Sequence, residues 1–487
     1  MKARDLTLTI ITLLLITAGI SGGCSLIDGF KVEQRQAGDF FEMTDDERES
    51  WNSPFGIFAA YTQEYQKFSN RMGFTNEEYW DWVDRHFDDL QAHWTRSNLQ
   101  FIWDIIEPKP GAGYKWDNQM GTDDIARRIS DSPVEVHWVA VFHEGGTPPE
   151  VKRPPLRNPV DYPDQYSRFV KAAVERYDGD GIDDLNDRIR VKYWQIGNEY
   201  PFWIRSGRNL NDYLNWARST SIAIKEADPE ARVVLIAETQ GLTMEPWMKT
   251  AIQFLVPSGY IDVVDIHHWG TAAEWKMNAV PQVRSLLDSQ GRTDAEIFSC
   301  EHGTWAGRPS RQPAQTEEEQ ARSLVKRYVY NLTNGLDKLM WNNLVEWEKF
   351  MNSEGSIFNS IGLISDGQYS GDSPDRLNTE RIAYWSYRML SKNLGNDIRL
   401  GKRIDVGNDD IYVYRFPAAD RAGVRFVGWA ENGQFVVNVP EKGFKGKGFT
   451  LIPDRFGDIG LKSNILANKK GIIEMKLGID PVMIVAD

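Results

Sequence analysis

Cysteine is nearly absent from this chain. Two occur in 487 residues, Cys24 and Cys300, which leaves no disulfide framework and makes a packed core the means of holding the fold. Runs of Lys or Arg are absent too: Asp and Glu number 70 against 56 basic residues, and the net charge is −14. Phosphate binding needs basic patches, so nucleic acid is excluded as a partner. No Gly-rich loop follows any strand-like stretch, which disfavours an open nucleotide-binding sheet. No His/Cys/Asp cluster has zinc spacing, and there is neither a tandem repeat nor a low-complexity segment. The expected complement is therefore no metal and no cofactor.

What is present begins with an address. Lys2 and Arg4 precede an apolar run from Leu6 to Ile20, and Ser21, Gly22 and Gly23 lead to Cys24. The run is short for a membrane span and reads as a secretory signal. It resembles a bacterial lipoprotein signal, in which the cysteine becomes the lipidated first residue, although Ser21 stands where Leu is usual. The expectation is a signal over residues 1–24 and a chain lipid-anchored through Cys24 in the bacterial cell envelope. Residues 25–50 are polar and acidic, ending in Asp45-Asp46-Glu47-Arg48-Glu49. They read as a tether, with Phe40, Phe41 and Met43 able to pack onto the fold.

The remaining length suits a barrel with one accessory domain. From Pro54 onward, strand-like and helix-like stretches alternate. The strands are read at Phe55–Ala59, His93–Arg96, Val134–Phe142, Val191–Gly197, Arg232–Ala237, Ile261–His267, Glu296–Glu301 and Lys338–Asn342. Between them, Thr75–Leu90 opens on a capping box, Thr75 with Glu78, and places Tyr79, Val83, Phe87 and Leu90 on one face. Further helices are read at Gln165–Tyr177, Asn211–Ala227, Thr316–Leu332 and Thr379–Leu394. Such alternation implies parallel pairing with right-handed crossovers, and predicts a (β/α)8 TIM barrel over residues 51–394. After residue 395 the stretches become short and Gly-punctuated: Ile411–Phe416, Val424–Trp429, Gln434–Val439, Phe449–Ile452, Ile472–Leu477 and Val482–Val485. They predict a small antiparallel β-sandwich domain over 395–487.

Two of the barrel strands end in acid. Tyr193-Trp194-Gln195-Ile196 runs into Gly197-Asn198-Glu199, and Ile297-Phe298-Ser299-Cys300 runs into Glu301. The C-terminal ends of barrel strands are where this architecture keeps its chemistry. Strands four and seven lie across the mouth from each other, so two carboxylates there can flank one glycosidic bond. The 18 Trp and 18 Tyr offer flat faces suited to sugar rings, though the core is the commoner place for any single Trp.

Several stretches together resemble retaining glycoside hydrolases of clan A, and within them family 39. Trp94-Thr95-Arg96 with Trp103 and Ile106-Glu107-Pro108 looks like the second-strand region. Tyr193 to Glu199 looks like the acid/base motif, Asp265-Ile266-His267-His268-Trp269 like the sixth strand, and Glu301 matches the nucleophile. Gly362-Leu363-Ile364 and Ala383-Tyr384-Trp385 look like the approach to the last barrel helix. The resemblance covers residues 54–487. It implies Glu301 as nucleophile, Glu199 as general acid and then base, and an oligo- or polysaccharide substrate. Arg96 is the candidate cation for Glu301, and Asn198 the partner of a sugar hydroxyl. His143 is a second hydroxyl contact, and Trp341 the floor of the subsite for the reacting sugar. Trp269 replaces the usual sixth-strand Tyr, so His267 or His268 is expected to take over its hydrogen bond to the nucleophile. Alternation along strand seven turns Cys300 away from the site, to pack. Against the hydrolase stand a catalytically inactive carbohydrate-binding lipoprotein, which requires a lost carboxylate, and a structural lipoprotein, which requires a plugged mouth. Finally, Asp178-Gly179-Asp180-Gly181-Ile182-Asp183-Asp184 has the composition of a Ca²⁺ loop without EF-hand spacing, and reads as a solvated connection.

Overall fold

The computed structural model describes residues 44–486 apart from 59, 62–65, 119–120, 144–156, 187, 206, 240, 347–355, 369–373, 418–422 and 461–462. Cys24, the signal, and Phe40, Phe41 and Met43 lie outside the described residues.

The barrel is closed by eight strands: β1 Phe55–Ile57, β2 Trp94–Phe101, β3 His137–Phe142, β4 Tyr193–Ile196, β5 Arg232–Val234, β6 Val263–Asp265, β7 Glu296–Gly303 and β8 Lys338–Trp341. Every neighbouring pair is parallel, β8 returns to β1, and β6 pairs with β7. Residues alternate between two layers, as the pleat requires. Trp94, Val139, Tyr193, Val234, Val263, Phe298, Cys300 and Met340 fill the interior. Phe101, Phe142, Trp194, Ile196, Val264, Ile297, Leu339 and Trp341 face the surrounding helices. Several helices start where their sequence says: Thr75 with Glu78, Asn209 with Asp212 and Thr316 with Glu319 form capping boxes.

The N-terminal end of the barrel is covered by the helix Asp45–Asn52, itself capped by Thr44 and Glu47. Its Trp51 stacks on His137 at 3.8 Å and meets the edge of Trp94 at 5.5 Å. Ser50 Oγ lies 2.9 Å from His137 Nε2. Lys338, at the start of β8, donates to the Trp51 and Ser53 carbonyls at 2.8 and 3.3 Å. The last residues read as tether, Asp45 to Ser50, are therefore part of a folded cover. Their acidity marks the first turn of a helix.

The C-terminal domain is a sandwich of antiparallel sheets. One has six strands, in the order Lys402–Arg403, Ile411–Phe416, Arg425–Ala430, Val482–Ala486, Lys445–Thr450 and Ser463–Leu466; the other pairs Phe435–Pro440 with Ile472–Leu477. Ile411, Val413, Phe426, Val437, Val439, Ile473, Met475, Leu477 and Ile484 form its core. The strand expected at Phe449–Ile452 begins earlier, at Lys445. Tyr412 and Trp429 stack on each other at 5.0 Å, and Trp429 meets barrel Trp275 edge-on at 5.7 Å. Much of the aromatic content is thus structural: Trp94, Trp194, Trp203, Trp216, Trp341 and Trp429 are all fully buried.

Candidate active site

Two local breaks in the strands bring the carboxylates inward. At the end of β4, Gly197 has φ 86°, a left-handed conformation that disfavours any side chain. A Cβ there would also lie 2.6 Å from Ile236 Cδ1. The break aims Asn198 and Glu199 over the mouth, and a bridge from Glu199 to Ala237 fixes the backbone. In β7 the register to β8 shifts between Ser299 and His302. This bulge turns an extra side chain inward, a device common beside active sites. Cys300 faces the interior, where it packs with Phe298, and Glu301 reaches the mouth as well. Simple alternation had turned Cys300 away from the site, to pack; it does pack, but on the inner side, which the bulge lets it share with its neighbour. His302 then points out to Arg327 Nη1, 3.0 Å away.

One oxygen of Glu199, one of Glu301 and one ring nitrogen of His267 lie within 4.8 Å of one another. Arg96, buried on β2, holds the constellation together. Its Nη1 donates to Glu301 Oε1, its Nη2 to Asn198 Oδ1 at 2.7 Å and its Nε to Gln195 Oε1 at 2.8 Å. Just beyond β6, His267 bridges the acids. Its Nδ1 is 2.8 Å from Glu199 Oε1 and 3.7 Å from Glu301 Oε1, and its Nε2 is 3.1 Å from Asp265 Oδ2. Asp265 is anchored in turn by the Cys300 N–H at 3.0 Å and Gln195 Nε2 at 2.8 Å.

The ionisation states follow from these contacts. Burial opposes a charge on His267, but Glu301 and Asp265 overcome it and hold its pKa at about 10. At neutral pH it is an imidazolium and donates from both ring nitrogens. Burial would raise Asp265, yet His267 and Arg96 bring it below the usual carboxylate range. For Glu301, burial is the strongest influence and raises it; His267 and Arg96 oppose without cancelling. The sequence offered Arg96 as the cation that favours the ionised form of this group; with His267 beside it, burial still prevails. Three carboxylates thus face two cations, so one proton is readily accommodated among them. Glu199, His267 and Glu301 have the proximity of a metal site, but the guanidinium against Glu301 would repel a cation there.

His267, and not His268, meets the acids. His268 Nε2 is tied to the Glu274 carbonyl at 2.7 Å, and burial followed by Arg327 drops its pKa to about 4. His143 stands half-buried at the C-terminal end of β3, the same end of the barrel, beside residues that are not described. Trp341 is a correction. It is fully buried between β8 and the helices, with its indole N–H on the Ile361 carbonyl at 3.0 Å; Met340 is the residue of β8 that faces inward. The floor of the subsite is therefore not Trp341. Sequence reasoning missed Asp265 and Gln195, although a carboxylate in Val263-Val264-Asp265-Ile266 and an amide in Tyr193-Trp194-Gln195-Ile196 both interrupt apolar strands. It also missed an aromatic wall: Tyr200, next to Glu199, stacks on Trp247 at 3.8 Å, and Trp247 Nε1 donates to Glu238 Oε2 at 2.6 Å.

No family model matches the chain, and no curated protein matches its sequence. Solved structures share its fold at low identity. A GH39 β-xylosidase from Caulobacter crescentus is 13% identical with a TM-score of 0.55, over 90% of this chain and 96% of that one. A family 51 α-L-arabinofuranosidase from Bifidobacterium longum is 12% identical with a TM-score of 0.56, over 89% and 95%. A glucosidase from Croceicoccus marinus is 13% identical with a TM-score of 0.56, over 82% and 91%. The barrel with its C-terminal sandwich is the architecture of these clan A hydrolases.

Proposed function

We propose that the chain is a retaining glycoside hydrolase that cleaves a β-linked glycan outside the cytoplasm, as a β-glycosidase or endoglycanase. The observation that carries this is the approach of Glu199 and Glu301 across the mouth, with carboxylate oxygens within 4.8 Å. Retaining enzymes hold their carboxyl groups about 5–5.5 Å apart, whereas inverting ones leave roughly 6.5–9.5 Å for a water. In the first step Glu301 attacks the anomeric carbon while Glu199 gives its proton to the departing oxygen. In the second, Glu199 takes a proton from water, which displaces Glu301 from the sugar. Arg96 and His267 stabilise whichever carboxylate is charged. Asn198, oriented by Arg96, is placed to meet a hydroxyl beside the reacting carbon.

Hydrolysis of an aryl β-xyloside, β-glucoside and α-L-arabinofuranoside by the purified chain, with Glu199→Gln and Glu301→Gln alongside, tests the reading; the panel follows the names of the three structural neighbours. Glu301→Gln is expected to abolish turnover of every substrate. Glu199→Gln should impair natural glycans more than aryl glycosides, whose leaving group needs no proton. An intact chain inactive across a wide glycan panel, yet still binding polysaccharide, would leave the inactive carbohydrate-binding lipoprotein in its place.

We further propose that residues 1–24 are a lipoprotein signal, that Cys24 carries the lipid, and that the protein is held at the bacterial cell envelope. The charge and apolar pattern of the first 24 residues supports this. Labelled palmitate incorporated by the parent and not by Cys24→Ser is the expected result.

A further inference from the structure

Away from the mouth, the connection between the helix Pro163–Tyr177 and β4 opens with Asp178, Asp180, Asp183 and Asp184 and no base among them. The loop is pinned at both ends: Leu185 N–H donates to the Arg176 carbonyl at 2.9 Å, and Val191 N–H to that of Tyr177 at 2.8 Å. Within it Gly179, Gly181 and Asp183 have φ of 75°, 92° and 53°, so the chain curls tightly. The curl puts one carboxylate oxygen from each of Asp178, Asp180 and Asp184 within 4.8 Å of the others. Asp184 is oriented by the Gly179 and Gly181 N–H groups at 2.9 and 2.7 Å.

Asp178 is what separates this loop from a surface cluster of acids. It is 1% exposed, and its Oδ2 has no hydrogen-bond partner. Lys192, the neighbouring cation, is bonded to Asp228 at 2.7 Å. A buried carboxylate oxygen with no donor is costly. The sequence reading of a solvated connection fails at this residue. The same crowding reaches Glu175, which burial and then Asp180, Asp183 and Asp184 raise. A hard divalent cation would relieve both. Three carboxylates supply part of the six to eight or so oxygens that Ca²⁺ takes, with main-chain carbonyls and water left for the rest. Mg²⁺ demands a stricter octahedron and gives up water reluctantly, which makes it the poorer match for a site built largely of protein oxygens.

We propose that Asp178–Asp184 is a Ca²⁺ site, with Asp178, Asp180 and Asp184 as its carboxylate ligands. The ion staples a helix to the strand whose other end carries Asn198 and Glu199, and its role is structural. The inference is independent of the hydrolase reading, and its test measures no hydrolysis. The mature chain, stripped with chelator, is titrated calorimetrically with Ca²⁺ and with Mg²⁺. It is then melted with each ion at ~10 mM, above the weakest affinities usual for extracellular calcium modules. The expected result is one Ca²⁺ site, a Tm several degrees higher with Ca²⁺, and a smaller rise with Mg²⁺. Asp180→Asn, at an exposed position, should lower Ca²⁺ affinity at least tenfold and remove most of the Tm rise. Asp178→Asn should also lose the site, yet melt in chelator no lower than the parent, because the unpartnered charge is gone. If Asp178→Asn does not fold, Asp180→Asn decides alone. No heat and no Tm rise in the parent, parental affinity in Asp180→Asn, or an equal response to Mg²⁺ would overturn the assignment.

Discussion

The two ends of the barrel both hold ionisable groups out of water, and they do so for opposite ends. At the mouth Arg96 and His267 are each bonded to carboxylates, and the acids they serve face one another. At the floor Lys338 rests on two main-chain carbonyls and on the face of Trp94, 4.0 Å from its centroid. Burial brings Lys338 down to about 7 and His137 well below its ordinary value. Judged by perturbed ionisation alone, the floor is as good a site as the mouth. What distinguishes the mouth is a pair of acids able to act together; what marks the floor is a cation used as a structural cross-link beneath Trp51.

The largest test of that contrast is activity. Glu301→Gln is expected to cut kcat by ~10⁴-fold or more, and Lys338→Met to leave kcat of the folded fraction unchanged. Loss of turnover in Lys338→Met at full folding would break the distinction.

Stability against pH comes next, because the two ends carry opposite signs. His267 has a folded pKa of about 10, above its unfolded value of roughly 6.5. Its contribution is complete below the lower figure and is lost as pH rises through the higher one. Lys338 has a folded pKa of about 7, below its unfolded value of roughly 10.4. Its penalty is complete below pH 7 and fades as pH rises from there, since the unfolded chain then binds more protons. Denaturant unfolding between these limits should show the parent's advantage over His267→Asn shrinking with pH, and its standing relative to Lys338→Met improving. Parallel slopes would mean that the two cations are not held as described.

Smaller effects probe the backbone that serves each layer. Gly197→Ala must place a side chain at φ 86° and against Ile236. It should cost about 1–3 kcal/mol in stability and as much as ~10²-fold in kcat, because Glu199 moves with the turn. Trp341→Phe, in the layer behind β8, should cost about 1–2 kcal/mol through a lost hydrogen bond and lost volume, with KM unchanged. A large rise in KM would return Trp341 to the subsite.

The strands of the barrel could be read from the sequence because buried parallel strands are apolar runs, and Glu199 and Glu301 because they end such runs. Direction was harder. Counting residues along strand seven cannot reveal a bulge, so Cys300 was turned the wrong way; on β8, Trp341 was given a place that belongs to its neighbours in the pleat. Asp265 was passed over as part of a strand, although it lies on the same side as His267 two residues later. In the sandwich, Lys402–Arg403 and Ser463–Leu466 are short and largely exposed, too brief to show an alternating pattern. The helix Asp45–Asn52 did announce itself, through Thr44 and Glu47, but the acidic run around it resembled a leash.

That helix also closes one of the two ways into the barrel. Trp51 lies on His137, and the Trp51 and Ser53 carbonyls take the Lys338 ammonium at the start of β8, so this end is shut by the chain itself. Glu199 and Glu301 open at the far end of the barrel axis. A solute can therefore reach those acids from their own end of the barrel and not along its packed interior.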